Sequence, residues 1–264
     1  MGRALLVFGL LCGLSATPLW SQSVVPNAAP AAPTSNSGTG FVVGDGYVLT
    51  ALHVVQGRTT VQVGPLTGGK WVNADIVQSD AKLDLALLKA PIALPAVSLA
   101  PSSEVPTGLE ISVIGYPLPK FQGLSKKITQ GVVNGYRGGS ESQQAQDIGL
   151  MQISAEVSRG NSGGPVFAPD GSVIGMVQRK MDARKLAEQA EDLVVNVNYA
   201  LRSSQIIKFL QAADVSPRVQ GLSLSTVLRP YQVFEREQAS VLAIIGRGGA
   251  PSAAPAPTPA QPAP

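Results

Sequence analysis

Short apolar segments separated by glycine and proline constrain the fold of this chain more than any other feature. Glycine and proline account for 28 and 21 of the 264 residues, and the segments between them are rich in valine, isoleucine and leucine. Only 14% of the residues are charged, which excludes a highly charged disordered chain. Many short strands divided by turn residues predict an all-β fold, either an antiparallel sandwich or a barrel.

The first two predicted strands form a hairpin. They cover residues 39–43 and 47–50, and Gly44-Asp45-Gly46 between them is a typical hairpin turn. The complete set of predicted strands is 39–43, 47–50, 60–63, 74–78, 85–89, 109–116, 128–134, 151–157, 173–178 and 195–200.

Two segments in the second half of the chain favour helix instead. Residues 181–193 consist mostly of strong helix formers and predict a surface insertion, whereas residues 203–213 begin with serines that can cap and carry apolar residues on one face. After them, residues 222–228 and 241–245 are candidates for extra strands packed on the core. The sequence leaves the packing of residues 214–247 undecided.

The beginning of the chain resembles a secretory signal. Arg3 precedes an apolar run over residues 4–14, and small residues near position 23 suit a cleavage site. The run is too short to span a bilayer comfortably, so we expect a signal peptide over residues 1–23 and no stable membrane span after cleavage. An uncleaved anchor and a lipoprotein attached at Cys12 are the alternatives. We therefore expect an exported protein, periplasmic or secreted.

Proline- and alanine-rich segments flank the region of predicted strands. Residues 24–37 predict an extended linker, and residues 248–264 predict a disordered tail, because neither segment has a periodic apolar face. The folded domain is expected over residues 38–213.

Charge and residue counts exclude several classes of function. The net charge is only +3, and the basic pairs are scattered without interleaved aromatic residues, so we expect no nucleic-acid partner. The chain has one histidine and one cysteine, and the cysteine lies in the predicted signal. Histidine-rich and ordinary zinc sites are therefore excluded, and no metal or organic cofactor is implied.

A serine surrounded by glycines is the first candidate for chemistry. Gly160-Asn161-Ser162-Gly163-Gly164 can form a tight turn that exposes the Ser162 hydroxyl and directs backbone N–H groups into one small space. Acyl transfer requires this combination of an oxygen nucleophile and donors for a developing oxyanion. The alternative is an ordinary glycine-rich turn between strands.

A serine nucleophile also needs a base, and the only histidine is His53, just after a predicted strand. A carboxylate must then hold the imidazole in the correct tautomer. Asp84, which opens an apolar strand, is the first candidate, and Asp80 is the reserve. The alternatives are a buried core histidine and an aspartate that only starts a strand.

Taken together, four motifs resemble a trypsin-like serine peptidase, and more narrowly the bacterial HtrA/Deg-type branch. They are residues 38–43, 49–55, 84–88 and 160–165, and the order histidine, aspartate, serine is that of this clan. The resemblance covers about residues 37–210. It implies two perpendicular six-stranded antiparallel β-barrels, over about 38–118 and 124–213, with a C-terminal helix and the site in the cleft between the barrels.

The resemblance also implies a role for each matching residue. His53 would be the general base and then the general acid, Asp84 would orient it, and Ser162 would be the nucleophile. The N–H groups of Gly160 and Ser162 would form the oxyanion hole. The sequence therefore predicts a serine endopeptidase acting on proteins or peptides, and it does not indicate the oligomeric state.

Some features depart from the family pattern. Arg159 stands where HtrA enzymes usually have proline, Asn161 stands where the digestive enzymes have aspartate, and the predicted helix 181–193 lies near the specificity pocket. We expect no PDZ-like domain after Ala213. A latent or non-catalytic envelope scaffold with the same fold is the main alternative, and an esterase using the same triad is a weaker one.

Overall fold

The computed structural model describes residues 35–65, 69–102, 105–117, 123, 125–137, 149–178 and 197–249. The predicted signal peptide, the helix at 181–193 and the tail from residue 250 onward lie outside the described residues. The strands are β1 (Ser35–Gly44), β2 (Tyr47–Ala51), β3 (Thr60–Gly64), β4 (Val72–Asn73), β5 (Asp75–Asp80), β6 (Leu85–Lys89), β7 (Ser98–Leu99), β8 (Glu110–Gly115), β9 (Lys127–Arg137), β10 (Leu150–Ile153), β11 (Pro165–Phe167), β12 (Val173–Val177), β13 (Asn198–Arg202), β14 (Arg218–Val219) and β15 (Val241–Arg247).

In the described part of the chain, three helices and one 3-10 turn accompany the strands. Helix α1 (Leu52–Val55) is a single turn directly after β2, α2 (Ser203–Ala212) follows β13, and α3 (Pro230–Glu237) leads into a 3-10 turn at Gln238–Ser240. The predicted helix at 203–213 is thus confirmed, and its apolar face is buried. Within the described residues, no helix combines the length and the apolar character needed to cross a bilayer.

The first sheet has the order β4-β3-β15-β1-β2-β6-β5, with every neighbouring pair antiparallel. Its two edge strands, β4 and β5, are separated in the chain by Ala74 alone. The Ala74 N–H donates to the Val61 carbonyl of β3 at 2.9 Å, so one continuous stretch of chain lies at both edges. Counted by chain segments, this sheet has six strands.

The second sheet has the order β11-β8-β9-β10-β13-β12-β7-β14, and β11 also pairs with β12. This additional pairing closes β11, β8, β9, β10, β13 and β12 into a six-stranded antiparallel barrel, to which the short strands β7 and β14 add in parallel. The expected all-β fold with two antiparallel six-stranded units and a helix after the second is confirmed.

The change from the first sheet to the second comes earlier than the sequence suggested. The expected break lay near residues 117–124, but β7 and β8 already belong to the second sheet, so the change falls between β6 and β7. The expected break is instead the connection between the antiparallel neighbours β8 and β9. Apolar alternation in residues 109–116 predicts a strand correctly but cannot tell which barrel receives it.

Strand β15 lies in the middle of the first sheet, between β1 and β3. Ser35–Phe41 pair with Val241–Arg247, so β1 begins three residues before the predicted domain start at residue 38. Val241 to Ile244 are at most 2% exposed and belong to the core of the first sheet. Residues 222–228 form no strand, although they were a candidate for one.

Candidate active site

The lone histidine and the first-choice aspartate are directly hydrogen-bonded. His53 lies in α1, which begins where β2 ends, and its Nδ1 is 2.6 Å from Oδ2 of Asp84. A carboxylate can only accept, so Nδ1 carries the proton and the neutral ring leaves Nε2 unprotonated. The side chains of His53 and Asp84 are 24% and 27% exposed, so the pair is accessible to a small reactant.

Asp84 is held in this orientation by its backbone as well as by its side chain. Its φ of +52° lies in the left-handed region, which aspartate tolerates better than most residues. Its Oδ1 accepts the His53 N–H at 2.8 Å, and its carbonyl accepts the Leu52 N–H at 3.0 Å. The side chain and the backbone carbonyl of Asp84 therefore both hydrogen-bond to the first turn of α1.

Asp80, the reserve candidate, bonds to the backbone of a turn and not to His53. Its Oδ1 accepts the backbone N–H groups of Lys82 at 2.8 Å and Leu83 at 3.0 Å. This is the pattern of a turn-forming aspartate that bonds to backbone a few residues ahead. The structure therefore assigns Asp80 to the turn between β5 and β6 and pairs only Asp84 with the imidazole.

Ser162 follows a tight turn that only glycine permits. The Asn161 N–H donates to the Ser158 carbonyl at 3.0 Å, and Gly160, the third residue of this turn, has a φ of +103°. A four-residue turn with positive φ at its third position requires glycine there. After Ser162, the Gly163 N–H donates to Val177 of β12 at 2.9 Å, which fixes the loop to the second barrel.

The same loop lies directly against the strands that lead to His53. A Cβ atom on Gly163 would be 2.2 Å from the Thr39 carbonyl oxygen and 2.5 Å from Oγ1 of Thr50, so no larger residue fits there. The Ser162 carbonyl accepts the Thr39 N–H at 2.9 Å. Because Thr50 is three residues from His53 along the chain, these contacts bring the serine loop and the histidine turn to one place.

The remaining groups at this place are free to meet a ligand. Among the described residues, no hydrogen bond joins the Ser162 hydroxyl to the His53 ring, and the N–H groups of Gly160 and Ser162 have no acceptor. Catalytic hydrogen bonds are often long before substrate binds, so this geometry is compatible with a resting site. In the described part of the chain, no three acidic, histidine or cysteine side chains are placed to share a metal ion.

Two further side chains around the loop bear on the site. Arg159 is exposed beside Gly160, and Asn161 is buried, with its Oδ1 close to Gly115 and unpaired within the described segments. Among the residues near this loop, Thr39 had no function predicted from the sequence, where it lies within the motif at residues 38–43. A threonine between two glycines is the signal that could have identified it.

Comparison with known proteins identifies the family of this chain. A family model described as trypsin-like peptidase domain matches residues 38–176, more than half of the chain. The chain belongs to this family. The match contains His53, Asp84 and Ser162, as well as the loop that follows β10.

The more similar relatives of this trypsin-like chain include HtrA-type proteases. It is 33% identical over 207 residues to the serine protease Do-like HtrA of Bacillus subtilis, covering 75% of this chain and 42% of that protein. It is 35% identical over 195 residues to the uncharacterized protein y4bJ of Sinorhizobium fredii, covering 72% of this chain and 30% of that protein. The chain therefore spans less than half the length of either relative.

A solved structure of the HtrA-type protease AlgW with a decapeptide has the same fold. The two chains are 26% identical with a TM-score of 0.56, over 67% of this chain and 51% of that one. The expected membership in the HtrA-like branch of the trypsin-like peptidases is confirmed.

Proposed function

We propose that this trypsin-like protein is an exported serine endopeptidase that cleaves peptide bonds through an acyl-enzyme. The observation that supports this most directly is the bond between His53 Nδ1 and Asp84 Oδ2, which leaves Nε2 unprotonated and able to act as a base. A structural histidine buried in a core would not need a partly exposed ring held from one side by a carboxylate.

In the proposed reaction, Ser162 Oγ attacks the carbonyl carbon of the scissile peptide bond while His53 Nε2 takes the hydroxyl proton. The N–H groups of Gly160 and Ser162 donate to the oxyanion that forms. His53 then gives its proton to the leaving amine, and the acyl-enzyme remains. Water, deprotonated by the same imidazole, releases the acid and restores Ser162.

Asp84 would contribute by orientation and charge. It fixes the tautomer in which Nε2 is free, and its carboxylate stabilises the imidazolium that exists during each proton transfer. Because Asp84 also bonds to the His53 N–H, ring and backbone are positioned by the same residue. No metal or organic cofactor is needed for these steps.

Proteins or peptides are the proposed substrates, and export is the proposed route. One relative from Halomonas elongata, 33% identical over 141 residues, is described as a probable periplasmic serine endoprotease. Together with the predicted signal at residues 1–23, this supports a periplasmic or secreted location. N-terminal sequencing of the protein recovered from cell fractions tests both the cleavage and the location.

A latent or non-catalytic scaffold of the bacterial envelope is the second candidate function. The observation that favours it is that no hydrogen bond joins Ser162 to His53 within the residues that the structure describes. In that case, labelling of the serine would require a partner or would never occur. An esterase with the same three residues would be distinguished by cleaving esters and leaving matched peptides intact.

Labelling with a fluorophosphonate probe tests the proposal first. We expect the purified mature protein to be labelled, Ser162→Ala to be unlabelled and His53→Ala to be labelled weakly. A folded wild-type protein that stays unlabelled, alone and with envelope extracts, would contradict an active peptidase.

A pair of aspartate variants then tests the role of Asp84. In Asp84→Asn, the amide nitrogen faces Nδ1, so the ring adopts the other tautomer, and we expect kcat for peptide cleavage to fall about 10⁴-fold. Asp80→Asn is the matched control, because it makes the same chemical change in a turn and keeps the Oδ1 acceptor. Equal losses in the two variants would show that Asp84 has no special role.

A further inference from the structure

We propose that Thr39 is a positioning residue: its hydroxyl holds the serine loop, defined here as residues 158–164, in the geometry that acyl transfer requires. This inference rests on the proposed function and adds a residue that the triad does not include. Thr39 belongs to β1 in the first sheet, whereas the serine loop is attached to the second barrel. The proposed contact therefore joins the two halves of the site.

Every polar atom of Thr39 is used at this junction. Its N–H donates to the Ser162 carbonyl at 2.9 Å, and its hydroxyl donates to the Gly160 carbonyl at 2.7 Å. The same hydroxyl oxygen accepts the Tyr116 N–H at 3.1 Å, and the Thr39 carbonyl accepts the Thr50 hydroxyl at 2.7 Å. Thr39 is 0% exposed, so water does not compete for these bonds.

These bonds fix the loop at two carbonyls, one on each side of Asn161. With the carbonyls of Gly160 and Ser162 held from the same residue, the peptide planes between them cannot rotate independently. The Ser162 N–H, one of the two proposed oxyanion donors, lies between these carbonyls, and the Gly160 N–H, the other, is on the residue that carries the first of them. The position of the oxyanion donors therefore depends on Thr39, which itself touches no substrate.

Thr39 also connects the loop to the base. The Thr50 hydroxyl that reaches its carbonyl comes from β2, and β2 leads directly into the turn that carries His53. The proposed nucleophile and the proposed base are thus both positioned by hydrogen bonds to one buried residue, Thr39. A misplacement of about 1 Å between reacting groups can lower a rate on the order of 100-fold, so holding this distance has a large effect.

Two substitutions separate the hydroxyl from the shape of the side chain. Thr39→Val keeps the branched shape and removes the hydroxyl, and Thr39→Ser keeps the hydroxyl and removes the methyl group. We expect Thr39→Val to lower kcat for peptide cleavage about 10- to 100-fold with little change in KM, and Thr39→Ser to recover most of it. The control is Thr59→Val, which removes a hydroxyl bonded to the Arg247 carbonyl away from the serine loop.

Hydrogen exchange measured by mass spectrometry provides a second readout that needs no activity. In Thr39→Val, amides of the serine loop should exchange faster, while those of β6 stay as in the wild type. Thr39→Ser should show wild-type exchange. Wild-type exchange and wild-type kcat in Thr39→Val would overturn the proposal, and so would equal losses of kcat in Thr39→Val and Thr59→Val.

The two proposals fail in different ways. If the wild-type protein neither reacts with the fluorophosphonate nor cleaves peptides, the peptidase function fails and the exchange experiment still decides whether Thr39 holds the loop. If the wild type is active and the exchange of the serine loop does not respond to Thr39→Val, the peptidase function stands and the role of Thr39 is refuted.

Discussion

Ile244→Ala tests whether β15 is an essential part of the first sheet. Ile244 is 0% exposed and pairs with Gly38 of β1 on one side and Val63 of β3 on the other. Its Cδ1 lies so close to β1 that a Cβ on Gly40 would be 2.9 Å from it. Side chains project from the face of a sheet, so truncation to alanine would leave a cavity on the core face, where the Ile244 side chain lies over β1.

The expected loss of unfolding free energy is about 2–5 kcal/mol, the range for removing a large aliphatic side chain from a fully buried site. Whole domains are stable by only about 5–15 kcal/mol, so this loss is a large share of the total. Ile245→Ala is the matched control, because Ile245 is the next residue of the same strand and is only half-buried. At roughly 0.8 kcal/mol per buried CH2 group, its truncation should cost about 1 kcal/mol.

Urea unfolding followed by far-ultraviolet circular dichroism measures both variants. We expect the midpoint of Ile244→Ala to fall by several times the shift of Ile245→Ala, with an unchanged dependence on urea concentration. Fluorophosphonate labelling of Ile244→Ala at low temperature should persist while the protein is folded. Equal shifts for the two variants would refute the assignment of Ile244 to the barrel core, and with it the insertion of β15.

Two other substitutions probe the surroundings of the serine loop. Gly163→Ala should abolish fluorophosphonate labelling, because the added Cβ would lie 2.2 Å from the Thr39 carbonyl oxygen. Gly57→Ala is the control, because Gly57 has a φ of +69° but open space around it. It should cost only about 1–2 kcal/mol of stability and keep the labelling. Tyr116→Phe should leave the unfolding free energy unchanged or raise it by up to about 2 kcal/mol, because the buried Tyr116 hydroxyl has no partner among the described residues and burial raises its pKa. A clear loss of stability in thermal melts of Tyr116→Phe would contradict that reasoning.

Local pattern was sufficient to predict much of the fold. The hairpin of β1 and β2 follows from two short apolar runs on either side of Gly44-Asp45-Gly46, and β6 has the predicted bounds, Leu85–Lys89. Helix α2 follows from apolar residues at helical spacing. In each case, the decisive information lies within a few neighbouring residues, which is the range over which backbone preference and burial pattern act.

The pair of His53 and Asp84 was also predicted from the sequence, and the structure joins these two side chains directly. The chemistry of a lone histidine and an aspartate before an apolar strand narrowed the choice to Asp84 or Asp80. What the sequence could not supply was the turn geometry, in which Asp80 bonds to its own neighbouring backbone while Asp84 faces the ring.

Features that depend on distant parts of the chain were not predictable in this way. An apolar, β-branched stretch at residues 241–245 predicts a strand, but nothing local indicates that it pairs with β1 and β3. The hydroxyl of Thr39 binds the Gly160 carbonyl from the opposite barrel, and no spacing rule connects those two positions. Such contacts are decided by how whole sheets close, after the individual strands are fixed.

The insertion of β15 has a consequence for biosynthesis. His53 and Asp84 are made early in translation, but the sheet that carries them has a gap between β1 and β3 until residues 241–247 have been synthesised. Pairing across so much of the chain is slow to form, because the intervening segment must first be ordered. A nascent chain that already contains His53, Asp84 and Ser162 would therefore lack the middle strand of the first sheet, and the proposed peptidase activity would require residues 241–247 as well.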